Sequence, residues 1–563
     1  MASGYIGKWL EVDLNSETAA PRDLDMNLAK MFLGGRGFGT KILYDKLKPK
    51  IDPLSVDNIL IFATGPLTGG SCLLSPGRHV VCTKSPLTGT ILDTHSGGHW
   101  GPFLKKAGFD YIQITGKAKK TTYLWVHDGN CEFKDASGIW GKMDVFDAED
   151  VIKKETDKGA KVAQCGPPGE RKALLAAVMN DKYRAAGRGG AGAVMGSKNL
   201  KAIAVFGDGE VMYSDSDGFK AANKEVYDVM QESDIPKVGG SLNTYGTAVL
   251  VNVINEHGIL PTRNFQTGVF EGANKISGET LAETRLERRT ACWGCPIVCG
   301  RWSRIESGPQ KGTEGEGPEY ETLWSLGATC GVDDLDMVST ANWLCNKYGL
   351  DTISAGGTVA FAMECYERKL ISKEDTGGID LKFGDGKAMT QIIELMGKGE
   401  GIGAILQDGS WAAAKKIGKG SEKFSMTVKG MEIPAYDPRG AKGHGLAYAT
   451  SNRGACHLRA YMISPEIIGL PEQLDRFSGA EDTKKIDMLK TFQDLISVVD
   501  SAVVCQFVTF GIGAPELVKL LKSCTGWDWT VESLQEMGDR IWTLERAFNA
   551  REGFGRKDDT LPD

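Results

Sequence analysis

The chain has 563 residues, 41% of them hydrophobic and 25% charged, and a formal net charge of −7. That length exceeds what one hydrophobic core supports and points to roughly two to four domains. The acidic balance, with no dense Lys/Arg run, leaves no electrostatic footprint for nucleic acid. No apolar run nears the roughly 20 residues needed to cross a bilayer, and the N-terminus has no charged and apolar regions of a signal peptide.

Residues 1–208 read as short strands separated by Gly/Pro turns, for example Asn58–Ala63, Arg78–Thr83, Tyr111–Thr115 and Lys201–Phe206. Gly207-Asp-Gly-Glu210 then marks a boundary. From 209 to 425 helical periodicity dominates. The stretch Asp334–Tyr348 has an acidic start, apolar residues at 3–4 spacing and Gly349 as a stop; residues 357–370 form a second helix. The segment 426–563 is also mainly helical, most clearly over Lys484–Val504. The expected fold is therefore an α/β, β-rich N-terminal domain followed by two mainly α-helical domains.

Thirteen cysteines, an odd number spread over a long chain, do not form the disulfide framework of a small secreted domain. A reducing, cytoplasmic setting follows. Three of them, Cys292, Cys295 and Cys299, form a C-x2-C-x3-C run with a proline after the second. Such a run suits a loop wrapped around an iron–sulfur cluster, one ligand short. A zinc site would need a second pair of ligands, and no second C-x2-C exists. Spacing leaves Cys330, Cys345, Cys365, Cys456, Cys505 and Cys524 open as the fourth ligand. The 72 glycines imply many tight turns or close backbone approaches, as around a large buried cofactor.

Gly187, Gly189 and Gly192 satisfy G-x-G-x-x-G, but the polar, irregular Asn180–Ala186 stands where a dinucleotide site needs a strand. The loop still suits phosphate, through backbone N–H groups and the guanidiniums of Arg184 and Arg188. Glu321 in Pro318–Thr322 and His444 in Asp437–Gly445 are of the residue types that usually handle protons, but taken alone they read first as structural residues.

In one order, Leu33-Gly-Gly-Arg-Gly37, Ala63-Thr-Gly-Pro-Leu-Thr-Gly69, Thr83-Lys-Ser-Pro-Leu-Thr-Gly89, Arg184–Gly190, the cysteine run, Gly317–Glu321 and Ala435-Tyr-Asp-Pro-Arg-Gly440 run through the chain. Together they resemble the aldehyde:ferredoxin oxidoreductase family, the tungsten-pterin enzymes, over almost the whole length. The resemblance implies a β-rich base that binds tungsten held by two pterin dithiolenes, with no protein side chain on the metal. Molybdenum binds the same dithiolenes, so the metal stays open. A [4Fe–4S] cluster would take Cys505 as its fourth ligand, with Arg78 bridging cluster and pterin. Arg184, Ala185, Gly187 and Arg188 would hold pterin phosphates. His95, Ser96 and Gly97 would lie beside those phosphates and a magnesium ion. Asn346, Leu350 and Asp351 would grip one pterin and Asp500 and Val504 the other, with Leu446 also in contact. Glu321 would deprotonate water or the aldehyde hydrate, and His444 would hydrogen-bond the oxo group or substrate oxygen.

The implied reaction converts an aldehyde and water to a carboxylic acid, and the electrons leave to ferredoxin or an iron–sulfur partner subunit, in an oligomer or hetero-complex. The competing readings are a catalytic subunit of an aromatic acyl-CoA reductase and a non-enzymatic iron–sulfur scaffold. Some positions depart from the family pattern. Asn346 replaces an Asp, and His95 an Asn, where it would contact phosphate or displace the ion. Val503-Val504 replaces Gly-Leu, and a β-branched residue in the left-handed region costs about 1–2 kcal/mol, which predicts altered backbone at Val503. Thr340 and Trp343 stand where some members carry the ligands of an intersubunit iron, so none is expected. The chain ends at Asp563 where many members continue, which would widen the substrate channel or leave a surface for a partner.

Overall fold

The computed structural model describes residues 3–563. Two six-stranded mixed sheets form the N-terminal part. The first runs β2-β1-β6-β3-β4-β5, from Thr18–Asp23 (β2), Lys8–Asp13 (β1), Tyr111–Thr115 (β6), Leu60–Ala63 (β3), His79–Lys84 (β4) and Ile91–Ser96 (β5). The second runs β11-β10-β9-β12-β7-β8, from Arg184–Ala186 (β11), Val178–Asn180 (β10), Lys161–Cys165 (β9), Leu200–Phe206 (β12), Thr122–His127 (β7) and Asn130–Asp135 (β8). In each sheet one pairing is parallel, β1 with β6 and β7 with β12, and the rest are antiparallel. Strands β3 and β4 are buried on both faces, which explains their continuous apolar runs. One core draws on both sheets, joining Leu60, Phe62, Val81 and Ile112 to Leu124, Ala163 and Ile203.

The rest of the chain is mainly helical, as the periodicity predicts. The helix Leu335–Tyr348 is capped by Asp334, whose carboxylate accepts from the N–H groups of Asp336 and Met337, and it ends at Gly349 with φ 77°. The next helix starts at Thr352 rather than 357, because Asp351 caps it through the N–H of Ile353. A three-stranded antiparallel sheet, Leu286–Thr290 (β13), Gly300–Arg304 (β14) and Glu314–Glu316 (β15), interrupts the helices. Its charged sequence carries no period-2 pattern, and helical periodicity does not foretell it.

The hydrophobic cores cross both expected boundaries, near 208 and at 425/426. One core runs from Ala248 through Leu406 and on to Val428, Tyr436, Tyr448 and Ile467. Another joins the first sheet and the helix Gly35–Lys46 to the helices Ser216–Met230, Thr483–Ala502 and Val531–Glu552. Among the described residues, no helix is long and apolar enough to cross a membrane.

Val503 corrects an expectation. It closes the helix Thr483–Ala502 at φ 59°, ψ 45°, and its N–H reaches the carbonyl of Val499. The backbone keeps the left-handed cap a glycine would make. Val503 is fully buried, and a Cβ built on Gly35 would lie only 2.4 Å from its Cγ2, so its methyl fills the space that Gly35 leaves. Packing outweighs the local strain.

Candidate functional site: a cofactor cavity with a thiol end and a proton end

The sheets and helices enclose a cavity of about 1360 Å³. Its thiol end is built by the β13–β14 connection, which carries Cys292, Cys295 and Cys299, and by Cys505, just past the helix that Val503 caps. All four thiols line the cavity, and every cysteine in the chain is free. Burial raises the Cys299 thiol well above its ordinary value, with the Glu319 carboxylate and the other three thiols adding to it. Cys295 is pushed up to about 11, by burial first and then by Cys505. Thiols that resist ionisation alone are suited to share a cation that ionises them. Arg78 donates to the Cys505 sulfur at 3.6 Å. Its guanidinium is stabilised as a cation by Cys505 and Cys292 against the opposing effect of burial. Gly97 lets the chain pass this sulfur set, since a Cβ there would lie 2.7 Å from the Cys292 sulfur.

The glycine-rich segment differs from its expected local structure. Residues 178–186 are not irregular: β10 and β11 pair as an antiparallel hairpin. The loop Gly187–Gly190 follows and leads into the helix Ala191–Ser197. Arg184, Ala185, Gly187 and Arg188 all line the cavity. Arg184 pairs with Glu316 at 2.7 Å, and Arg188 donates to the carbonyl oxygens of Ala455 and Glu432. Asn346, Leu350, Asp351, Asp500 and Val504 also face the cavity. Asn346 donates to the carbonyl of Asn342 at 3.0 Å, and Asp351 lies 3.5 Å from the Arg188 Nε.

His95 faces the cavity too, but its Nε2 lies 2.8 Å from Asp93 and 3.8 Å from Asp500. One ligand atom from each of these three residues falls within 4.8 Å of the others, a spacing that suits a cation. Arg459 already holds both carboxylates, at 2.7 Å and 2.6 Å, and Arg36 adds a further contact to Asp500. The carboxylates are thus neutralised by protein. Ser96 turns away from the cavity and donates to the Asn180 side chain at 2.6 Å. Thr340 donates to the Asp336 carbonyl and Trp343 packs on Phe146, so neither presents a metal ligand.

At the proton end stands Glu321, in the first turn of the helix Tyr320–Leu326. Its Oε2 accepts from the Ala435 N–H at 3.1 Å, while Oε1 is buried without a hydrogen-bond partner. Burial pushes its carboxyl up to about 8, against the lowering effects of the Ala435 N–H and Arg188.

The histidine beside Glu321 is His457, not His444. His457 lines the cavity, with its Nε2 3.6 Å from Glu321 Oε1. Burial and then Arg188 hold it well below the ordinary histidine range, so the ring is neutral. His444 lies behind the cavity wall, fully buried, edge-on to Tyr436, Tyr448 and Tyr461 at 5.0, 4.6 and 5.9 Å. Both its ring nitrogens are unpartnered, and burial drops its pKa to about 3. Leu446, on the same helix Lys442–Thr450, is 39% exposed and does not reach the cavity.

Sequence reasoning also missed Arg453 and Arg459, which face the cavity from the loop that carries His457. The signal was Asn452-Arg-Gly-Ala-Cys-His-Leu-Arg459, where two arginines, a histidine and a cysteine share eight positions. Cys456, weighed only as a cluster ligand, accepts from Arg453 at 2.8 Å. Arg453, Arg459 and Arg188 hold its thiol below the ordinary value despite burial.

The cavity fits a large anionic group. Arg78, Arg184, Arg188, Arg453 and Arg459 line it, and the Arg453 Nε is buried with no hydrogen-bond partner. A donor so placed needs a ligand that supplies an acceptor. The arrangement suits a large anionic group held inside the fold rather than at its surface.

Comparison with known proteins narrows the reading. The family model for the aldehyde ferredoxin oxidoreductase N-terminal domain matches residues 9–207, and that for domains 2 and 3 matches residues 221–563. The chain belongs to the aldehyde ferredoxin oxidoreductase family. The tungsten-containing aldehyde ferredoxin oxidoreductase of Pyrococcus abyssi is 49% identical over 99% of this chain and 91% of its own length. The WOR-like subunit of the aliphatic sulfonate oxidoreductase of Pyrococcus furiosus is 32% identical over 99% and 89%. Among solved structures, the active site complex BamBC of benzoyl coenzyme A reductase with 1,5-dienoyl-CoA superposes with a TM-score of 0.87. It is 25% identical and covers 100% of this chain and 91% of that one.

Proposed function

We propose that this chain is a cytoplasmic tungsten-dependent enzyme that oxidises aldehydes to carboxylic acids and passes the electrons to ferredoxin or an iron–sulfur partner. The observation that carries the reading is the convergence of four thiols, five guanidiniums and the Glu321–His457 pair on one cavity. Relatives named as aldehyde enzymes are 49% identical, against 25% for the benzoyl coenzyme A reductase chain, which favours aldehyde over thioester chemistry.

Arg184, Arg188, Arg453 and Arg459 would hold the phosphates of a bis-pterin tungsten group, and Cys292, Cys295, Cys299 and Cys505 a [4Fe–4S] cluster. When bound, these groups supply a two-electron acceptor and a relay that releases electrons singly. The protein's part is positioning and proton handling. The aldehyde and water together lose two electrons and two protons to become the acid. Glu321, with a pKa of about 8, is poised near neutrality to take a proton from water or hydrate at its free Oε1. The neutral His457 ring steers the substrate oxygen through a ring N–H. The apolar cage of tyrosines keeps His444 out of this exchange.

The test compares Glu321→Gln, His457→Asn and His444→Phe in metal-loaded protein, with an aldehyde panel and a viologen acceptor. Glu321→Gln should lower kcat by about 10²-fold or more and His457→Asn by about 10-fold or more, with tungsten and iron contents unchanged. His444→Phe should stay within about twofold, since an unpaired buried ring is replaced by an apolar one. Unchanged turnover in Glu321→Gln would refute its role as base. A large loss in His444→Phe with native metal content would return the role to that residue.

A further inference from the structure

Two lysines and two aromatic rings crowd the outer side of the cysteine loop, and the catalytic reading gives them no task. Trp293 sits between Cys292 and Cys295, and its backbone N–H donates to the Gly98 carbonyl at 3.0 Å. Its ring meets His99 and Phe103 edge-on, at 6.4 and 5.9 Å. The Lys106 ammonium lies 5.0 Å from the Trp293 ring centre and 5.5 Å from that of Phe103. From strand β9, the Lys161 ammonium lies 5.3 Å from the Phe103 ring centre. Gly294 is exposed, and Trp293, Phe103, Lys106 and Lys161 are half-exposed.

Neither lysine has a carboxylate partner. The nearby carboxylate, Asp181, is taken by His99, which accounts with Lys161 for holding it down near 2 against burial. The two ammoniums are therefore unpaired, although the exposed Asp208 and Glu210 lie on the loop whose Gly209 N–H donates to the Lys106 carbonyl at 3.2 Å. Cys292 directly precedes Trp293 in the chain, and Cys295 directly follows the exposed Gly294.

We propose that this Trp293–Lys106–Lys161 surface is where a small acidic electron-carrier protein docks. The proposal rests on the reading of the four thiols as a redox cluster. Aromatic rings give a flat apolar centre, and the two ammoniums draw an acidic partner to it by long-range attraction, as in weak and rapidly exchanging redox encounters. With a [4Fe–4S] cluster held by the four thiols, a docked oxidised carrier would take up one electron per encounter, and two encounters would drain the two electrons of one aldehyde oxidation.

The experiment uses metal-loaded wild type and the double variants Lys106→Glu/Lys161→Glu and Lys106→Gln/Lys161→Gln. Rates of aldehyde oxidation are measured with an acidic [4Fe–4S] ferredoxin and, separately, with benzyl viologen. At low ionic strength the charge reversal should cut ferredoxin kcat/KM by about 10-fold or more. The Gln pair should lose less, and the wild-type salt dependence should flatten in both. Viologen rates and iron content should hold within about twofold. Ferredoxin rates that match wild type in both variants, with viologen activity intact, would overturn the docking surface alone. A parallel loss of both activities in the Gln pair would overturn it too, by showing the lysines to be structural. A wild type inactive with viologen on every aldehyde would overturn the functional reading and the proposal with it.

Discussion

Asp500 and Glu321 are carboxylates in the wall of one cavity, the first buried and the second with its side chain 13% exposed, and their surroundings push them in opposite directions. Burial alone would raise both. At Asp500 it is outweighed by His95, Arg459 and Arg36, and the carboxyl titrates below its ordinary value. At Glu321 a single N–H and a distant Arg188 do not offset it, and the carboxyl rises to about 8. The difference separates a carboxylate kept as a fixed charge from one left free to exchange a proton. The first belongs to a network that reaches across the fold. Arg36 grips Glu545 through Nε and Nη2, both at 2.7 Å, and Asp500 at 3.3 Å, while Arg459 bridges Asp500 and Asp93. It ties the helix Gly35–Lys46 and strand β5 to the helices Thr483–Ala502 and Val531–Glu552. The second belongs to a pocket with one helix turn, one loop and a neutral histidine.

Cutting the network tests the first half of that comparison most severely. Arg36→Met leaves Glu545 and part of Asp500 buried without their cation, which should cost about 3–5 kcal/mol. Urea unfolding followed by tryptophan fluorescence measures it. A loss below about 1 kcal/mol would mean that water reaches these groups, and the contrast with Glu321 would collapse.

The network was only partly legible in the sequence, and so was the proton site. Local signals carried well. The Asp334 cap, the Gly349 stop, the buried apolar strands and the cysteine run each have a short-range cause, and each appears where expected. What depends on long-range packing did not. His444 sits in a glycine-rich stretch that reads as a reactive loop, yet Gly443 and Gly445 belong to a helix packed under tyrosines. His457 looks unremarkable in sequence and meets Glu321 only because its loop folds back from far away in the chain. The sheet Leu286–Glu316 was missed because its strands are charged and alternate poorly. Val503 went wrong for a related reason, since the contact that holds it lies on Gly35.

The second half of the comparison has a pH signature. The Glu321 carboxyl has a folded value near 8, above the ordinary value of 4.5. The folded state therefore binds the extra proton between these values, and stability falls as pH rises through that window. Cofactor-free wild type should lose about 3 kcal/mol between pH 5 and pH 8 relative to Glu321→Gln, whose amide does not ionise. Urea midpoints at the two pH values give the difference. Midpoints that move in parallel would mean Glu321 is ionised at neutral pH, which would place it with Asp500.

The smallest effect concerns the residue that closes the helix bearing Asp500. Val503→Gly would relieve about 1–2 kcal/mol of left-handed strain. It would also remove a buried side chain worth about 1.5–3 kcal/mol and add about 0.5–1 kcal/mol of unfolded-state entropy. The space over Gly35, now filled by the Val503 methyl, would be left as a void. The terms nearly cancel, with a net loss of about 1 kcal/mol expected in the same urea assay. A clear gain in stability would show that strain, not packing, governs this cap. The charged network at Asp500 would then be holding the helix end in place against its own backbone preference.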